Sequence, residues 1–150
     1  SEIGNSNRLR RLNIVNNNLD GELPVYLINQ SLGSLTDIIL SYNNLTGELP
    51  TELGNYTGIE YLYLDHNKFY GSIPIEYGLP AGIRSTIEEF NISWNNITDI
   101  DGDEICNLYT SLLAGDGLFN IQYNNICDNG ESIFPECDGD FDYLGVQDCV

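Results

Sequence analysis

Residues 45–74 read LTGELPTELGNYTGIEYLYLDHNKFYGSIP, and the two ends of this stretch carry nearly the same phrase. Leu45-Thr46-Gly47-Glu48-Leu49-Pro50 returns 24 positions later as Phe69-Tyr70-Gly71-Ser72-Ile73-Pro74. Self-similarity at such a period is the signature of a stacked repeat, in which no single unit can bury its apolar face alone. Working outward from the quoted stretch, the pattern x-L-x-L-x-x-N-x-L fits five registers. They are Leu12, Ile14, Asn17, Leu19; Ile38, Leu40, Asn43, Leu45; Leu62, Leu64, Asn67, Phe69; Phe90, Ile92, Asn95, Ile97; and Phe119, Ile121, Asn124, Ile126. The asparagines are 26, 24, 28 and 29 residues apart, so the later repeats carry insertions.

The alternation of apolar residues predicts a short strand with one face inward, each stacked beside the strand of the previous coil. The asparagine falls where the chain turns off that strand. Its amide both donates and accepts, so it can satisfy turn backbone groups that would otherwise be buried unpaired. A buried ladder of Asn17, Asn43, Asn67, Asn95 and Asn124 is therefore expected. Gly21, Gly47 and Gly71 permit a tight turn after it. Pro24, Pro50 and Pro74 then end sheet pairing and start the return path on the convex side.

These residues carry a specific resemblance. NNLDGELP (17–24), NNLTGELPTELGN (43–55) and NKFYGSIPIEYG (67–78) resemble the plant-type, extracellular leucine-rich repeat, L-x-x-L-x-L-x-x-N-x-L-T/S-G-x-I/L-P-x-x-L-G. The likeness covers roughly residues 5–126 and is tightest in the first three repeats. The fourth departs, with Asp99-Ile100-Asp101 in place of Gly-x-Ile-Pro, and its GDEICNLYTSLLAG segment is expected to form a longer convex helix. The resemblance implies an α/β solenoid: right-handed, about five repeats, a parallel concave β-sheet, and a convex side of 3-10, short helical and irregular segments. Residues 1–126 would be the solenoid, with an N-terminal end that is truncated or uncapped, and 127–150 a cysteine-rich, disulfide-bonded C-terminal cap. Cys106 and Cys137 fall at equivalent convex positions, which favours pairing them and joining Cys127 to Cys149. The alternative, Cys127–Cys137 with Cys106–Cys149, stays open.

Composition narrows the setting. The chain has 150 residues, enough for one domain with a continuous core, and a formal charge of −18. That charge argues against nucleic acid or an anionic membrane surface as partner. The apolar runs are too short to cross a bilayer, so no membrane insertion is expected. All five basic residues (Arg8, Arg10, Arg11, Lys68 and Arg84) precede position 85, and 14 carboxylates follow it. The four cysteines, Cys106, Cys127, Cys137 and Cys149, cluster in the last third and read as two disulfides formed in an oxidising compartment. Asn-x-Ser/Thr sequons begin at Asn29, Asn44, Asn55, Asn91 and Asn96. Together these place the protein outside the cell, secreted or at the cell surface.

Convergent reactive groups are scarce, and no enzyme is expected. One histidine, His66, would have to serve any Ser-His-Asp or Cys-His site. No cofactor is expected beyond weak calcium binding at Asp99, Asp101 and Asp103, beside Glu104. That segment is no EF-hand, because Gly102 takes the fourth loop position and Thr110 the twelfth.

Recognition is the stronger expectation. The variable positions of each strand should point outward as columns crossing the sheet. The first column reads Arg11, Asp37, Tyr61, Glu89, Leu118 and the second Asn13, Ile39, Tyr63, Asn91, Asn120. The third reads Val15, Ser41, Asp65, Ser93, Gln122 and the fourth Asn16, Tyr42, His66, Trp94, Tyr123. The fourth holds the only histidine and the only tryptophan, flanked by tyrosines. Rings one strand apart would form a ridge, and polar-tipped aromatics are favoured in recognition surfaces. The expected ligand-binding residues are Tyr42, Tyr61, Tyr63, Asp65, His66, Trp94 and Tyr123, and the ligand a protein, peptide or glycan. The alternative is a glycosylated structural cell-surface or matrix protein that associates end to end. Ice binding would need a flat, regular Thr or Asn array, and these columns are irregular.

Overall fold

A computed structural model describes residues 9–25, 35–128 and 131–132 of the chain. In order, its strands are β1 (Arg11–Asn13), β2 (Asp20–Glu22), β3 (Asp37–Ile39), β4 (Asn44–Thr46), β5 (Tyr61–Tyr63) and β6 (Tyr70–Ile73). They continue with β7 (Glu89–Asn91), β8 (Asn96–Ile100), β9 (Leu118–Asn120), β10 (Cys127–Asp128) and β11 (Glu131–Ser132). Helices α1 (Thr51–Gly54) and α2 (Ile105–Ala114) and 3-10 turns at Ile75–Gly78 and Ile83–Ser85 lie between them.

The solenoid expected from the repeats is present. Strands β1, β3, β5, β7 and β9 form one parallel sheet in chain order, its residues paired as the sequence columns predict: Arg11, Asp37, Tyr61, Glu89 and Leu118 lie side by side. The alternate residues Ile38, Leu40, Leu62, Leu64, Phe90 and Ile92 are buried behind it. Phe90 stacks on Phe119 at 5.6 Å between centroids and meets the edge of Tyr77 at 6.0 Å. The fourth repeat forms its longer convex helix, α2, which buries Ile105, Leu108, Tyr109 and Leu112.

One feature differs from the sequence reading. The Gly-x-Leu/Ile-Pro phrase does not simply turn; it forms a second set of parallel strands. Strand β2 pairs with β4 and β6 with β8, and a single bridge from Glu48 to Tyr70 links the two pairs. Gly71, at φ +81°, sits within β6, and Gly47, at φ +91°, directly follows β4. A Cβ on Gly47 would come within 2.8 Å of the Glu22 side chain of the coil before, so the glycine provides both the backbone conformation and the clearance.

The asparagine ladder is buried at four of its five rungs. Asn67 donates to the Leu64 and Asp65 carbonyls of its own coil at 3.0 and 3.2 Å and to the Leu40 carbonyl of the previous coil at 3.0 Å. Its Oδ1 accepts the Leu45 amide at 3.0 Å. Asn43, Asn95 and Asn124 repeat the scheme. Asn17 is the exception: it is exposed and bonds only the Val15 carbonyl two residues away.

On the convex side the coils approach too closely for any side chain at certain positions. A Cβ on Gly54 would lie 2.6 Å from the Glu76 carbonyl carbon, and one on Gly78 1.8 Å from the Glu104 oxygen. The repeat's Leu-Gly and Tyr-Gly steps are set by that approach.

Cys106 is disulfide-bonded. The side chains of Cys127, Cys137 and Cys149, most of the 127–150 segment and the Asn29 sequon lie outside the described residues. Among the described residues no helix is long and apolar enough to cross a membrane.

Replacing Asn67 by Ala orphans the Leu45 amide in a buried turn and removes one of two donors from each of the Leu40, Leu64 and Asp65 carbonyls, which keep Asn43, Asn95 and the Tyr42 amide. Urea denaturation should show a loss of about 2 kcal/mol, since one orphaned buried amide costs about 1–3 kcal/mol. Asn17→Ala, at the exposed rung, should cost no more than about 0.5 kcal/mol.

Candidate functional site

Each strand of the main sheet is only three residues long, but the ladder continues beyond it. The Tyr42 amide bonds the Asp65 carbonyl at 3.1 Å, His66 bonds Ser93 at 3.0 Å and Trp94 bonds Gln122 at 3.0 Å. The following asparagine amides return the bond, Asn43 to the His66 carbonyl and Asn67 to that of Trp94, both at 3.2 Å. Bending inward between those two bonds forces the intervening residue into the left-handed region. All five members of the fourth column are there: Asn16, Tyr42, His66, Trp94 and Tyr123 have φ of 52–58°.

Asparagine suits this conformation and a bulky ring does not. The backbone cost is about 1–2 kcal/mol per residue, against about 0.5–1.5 kcal/mol gained from each stacked pair. Four strained rings joined by three stacks therefore gain nothing clear in stability over a column of asparagines like Asn16. The fold asks for the left-handed residue; it does not ask for the ring.

The rings form one stack. Tyr42 and His66 lie 4.0 Å apart at 16°, His66 and Trp94 5.4 Å apart at 23°, and Trp94 and Tyr123 3.9 Å apart at 17°. Tyr42 is 51% and Trp94 46% exposed. His66 and Trp94 are stacked on both faces and present edges and polar tips, whereas Tyr42 and Tyr123, at the two ends of the row, are each stacked on one face. Beneath the stack His66 is fixed from behind. Its Nδ1 is 2.9 Å from Asp65 Oδ2, and the Ser41 hydroxyl donates to Asp65 Oδ1 at 2.6 Å. Ser41 thus bonds the carboxylate rather than the imidazole, so the three groups do not form a Ser-His-Asp relay.

The third column does not face outward as expected. Ser41, Asp65 and Ser93 are buried, because the inward bend carries their positions under the ring stack. Asp65 accordingly positions His66 rather than lying open to a ligand. Tyr61 and Tyr63 are half-buried on the first and second columns. Each hydroxyl reaches diagonally to the next coil, Tyr61 to Glu88 at 2.7 Å and Tyr63 to Glu89. The hydrogen bond to Glu88, then its charge and those of Glu89 and Glu60, push the Tyr61 hydroxyl up to about 12. Glu88 sits outside the columns read from the sequence and gave no signal there, since the diagonal reach depends on strand spacing.

Asn55 and Asn96 are exposed, whereas Asn44 and Asn91 are half-buried, and Asn91 accepts from the Ser93 amide and hydroxyl at 3.1 and 2.8 Å. Asp99, Asp101 and Asp103 are exposed, and among the described residues no cluster of three His, Cys, Asp or Glu could hold a metal ion.

With this geometry in place, comparison gives a consistent picture. The Leucine Rich Repeat family model matches residues 8–29, 34–56 and 86–108. The intervening coil around Asn67 and the last around Asn124 lie outside those matches yet pair in the same register. No curated protein matches the sequence. Among solved structures, the chain is similar to the Arabidopsis receptor kinase HAESA, in complex with the peptide hormone IDA and the co-receptor SERK1. The identity is 30% and the TM-score 0.68, over 82% of this chain and 19% of that one. It resembles the leucine-rich repeat ectodomain of the membrane receptor kinase GASSHO1/SCHENGEN3 from Arabidopsis thaliana at 24% identity and TM-score 0.66, over 82% of this chain and 16% of that one. A plant ice-binding protein shares the fold at 22% identity and TM-score 0.56, over 75% of this chain and 32% of that one.

The energetic balance at the stack predicts that Tyr42→Asn shifts unfolding free energy by less than about 1 kcal/mol, backbone relief offsetting one lost stack. Glu88→Gln should bring the Tyr61 phenol down from about 12 toward the ordinary 10.0, read as the phenolate absorbance that Tyr61→Phe removes. Because folding raises this value, the associated stability is complete below pH 10 and disappears as pH rises through about 12.

Proposed function

On the premise that the chain is a leucine-rich repeat solenoid, we propose that it is an extracellular recognition module that binds a peptide or protein on its concave sheet, with the ring stack as the contact surface. The observation that carries this reading is the fourth column. Four coils in succession place a ring where the backbone favours Asn or Gly, and the row repays little of that cost in stability. Rigid, polar-tipped edges are well suited to a peptide backbone, since Tyr hydroxyls, the Trp94 indole N–H and the outer His66 nitrogen can bond its carbonyls.

Glycan recognition has less support. Sugars are held largely by stacking on open ring faces, and the inner faces of this row are occupied by neighbouring rings. The resemblance to HAESA, solved with a peptide hormone and a co-receptor, favours a peptide or protein ligand. The chain spans only 19% of that structure, so its own ligand must be sought from its own surface. The plant ice-binding relative shows that the fold alone does not choose the function.

The disulfide at Cys106 and the sequons fit a secreted or cell-surface setting. Residues 127–150 are proposed to cap the solenoid, and Asn55 and Asn96 are the sequons best placed to carry glycans without crowding the sheet.

The test uses a variant built to keep the fold. Tyr42, His66 and Trp94 are replaced together by Asn, the residue this column tolerates best. Random peptides displayed on phage are then selected on the unaltered protein, and the selected pool is measured against both forms. Ridge-dependent peptides should lose at least about tenfold in affinity on the triple variant, one well-buried contact being worth about 1.4 kcal/mol or more. A pool that binds both forms equally, with the variant's thermal transition retained, would reject the ring stack as the contact surface.

A further inference from the structure

The peptide's chemistry can be narrowed from the other end of the same strands. The hydroxyls of Tyr61 and Tyr63 are bound to Glu88 and Glu89 of the next coil. Each carboxylate therefore spends one lone pair on a tyrosine and keeps the rest free to accept. Among the described residues neither glutamate has an ion-pair partner; the two pairs present are Arg11–Asp37 at 2.6 Å and His66–Asp65. The nearest guanidinium in sequence, Arg84, bonds the Ser111 hydroxyl at 3.3 Å and the Gly78 carbonyl at 3.4 Å rather than either glutamate.

Beside the two glutamates a cleft of about 350 Å³ opens between the start of β7 and the end of α2. Ser111 and Asp116 contribute its polar wall, Ile87 and Leu112 part of its apolar wall. It has room for a long side chain, and Arg84, which bonds the Ser111 hydroxyl of its wall, forms no ion pair with Glu88 or Glu89. Burying an unbalanced carboxylate pair under a ligand would be costly unless the ligand brings the countercharge. An acidic or neutral partner would leave Glu88 and Glu89 facing it unpaired. An arginine or lysine instead lays its apolar stem along Tyr61 and delivers its charge to the carboxylates, gaining cation–π and ion-pair contacts together.

Strand geometry gives the length. From Glu60, one coil before Glu88, to His66 the chain advances six residues, at most about 20 Å at about 3.3 Å per residue. An extended peptide of similar length thus reaches from the cleft to the ring stack. Resting on the reading of the concave sheet given above, we propose that the occupant is an extended peptide segment bearing an arginine or lysine, whose cation sits at Glu88 and Glu89 while its backbone crosses the exposed edges of His66 and Trp94.

A protein with formal charge −18 will attract basic peptides without any site, so the experiment needs a charge-matched control. Random displayed peptides are selected at physiological ionic strength on the unaltered protein, on Glu88→Gln/Glu89→Gln and on Glu22→Gln/Glu48→Gln. The last pair removes the same charge from the second set of strands, where both residues are exposed. Gln keeps an acceptor for each tyrosine hydroxyl. The proposal expects an excess of Arg and Lys in the first and third pools that falls to the library's own composition in the second. It also expects the selected peptides to lose about tenfold or more in affinity on Glu88→Gln/Glu89→Gln. Equal losses on both double variants would mean diffuse attraction and overturn it. A pool that depends on the ring stack but shows no basic excess would overturn it while leaving the concave reading in place. A pool indifferent to the ring stack would remove both.

Discussion

One buried carboxamide per coil holds the solenoid together. Its two N–H donors span the carbonyl of its own strand and that of the coil before, while its oxygen takes an amide from the second set of strands. A single side chain thereby fixes three pieces of backbone, and fixes them where water cannot substitute. No other residue type offers two donors and an acceptor in so short a group. The spacing between coils and the inward bend both follow from it.

The site depends on that bend. With the backbone pinned on either side by ladder hydrogen bonds, the residue before each asparagine has no choice but the left-handed region. Whatever side chain stands there is thrown to the edge of the sheet, one coil apart from its neighbours, and the bend also tucks Ser41, Asp65 and Ser93 underneath. An aromatic residue at that position is a departure from local preference rather than an expression of it. Departures of this kind collect where a surface serves something besides stability. The tyrosine–glutamate pairs lie at the opposite end of the strands and bring two carboxylates there.

Much of this was legible. The asparagine spacing gave the strands and their register, and the first and second columns matched the pairing residue for residue. The aromatic column could be read directly, because it needs only the periodicity. Other features could not. The second set of strands was hidden because Gly47 and Gly71 look like turn residues; only the adjacent coil shows that their flanking groups pair. The burial of Asp65 was missed because alternation along a straight strand says nothing about a bend at its end. Asn17 was expected to be buried like the other rungs, yet it is exposed and donates only to the Val15 carbonyl two residues away.

The amino-acid order by itself determined the repeat, the register and the row of rings, since each is a matter of period and period is written along the chain. Three things were decided only by the folded backbone. Rings that could have stood apart are stacked face to face, an aspartate that could have met a ligand is turned beneath a histidine, and two glutamates are brought to tyrosines of the previous coil. The reason is common to all three. They depend on distances between coils about 4.8 Å apart, and on the angle at which each coil leaves its strand. Those quantities arise when the coils stack, and no single repeat contains them.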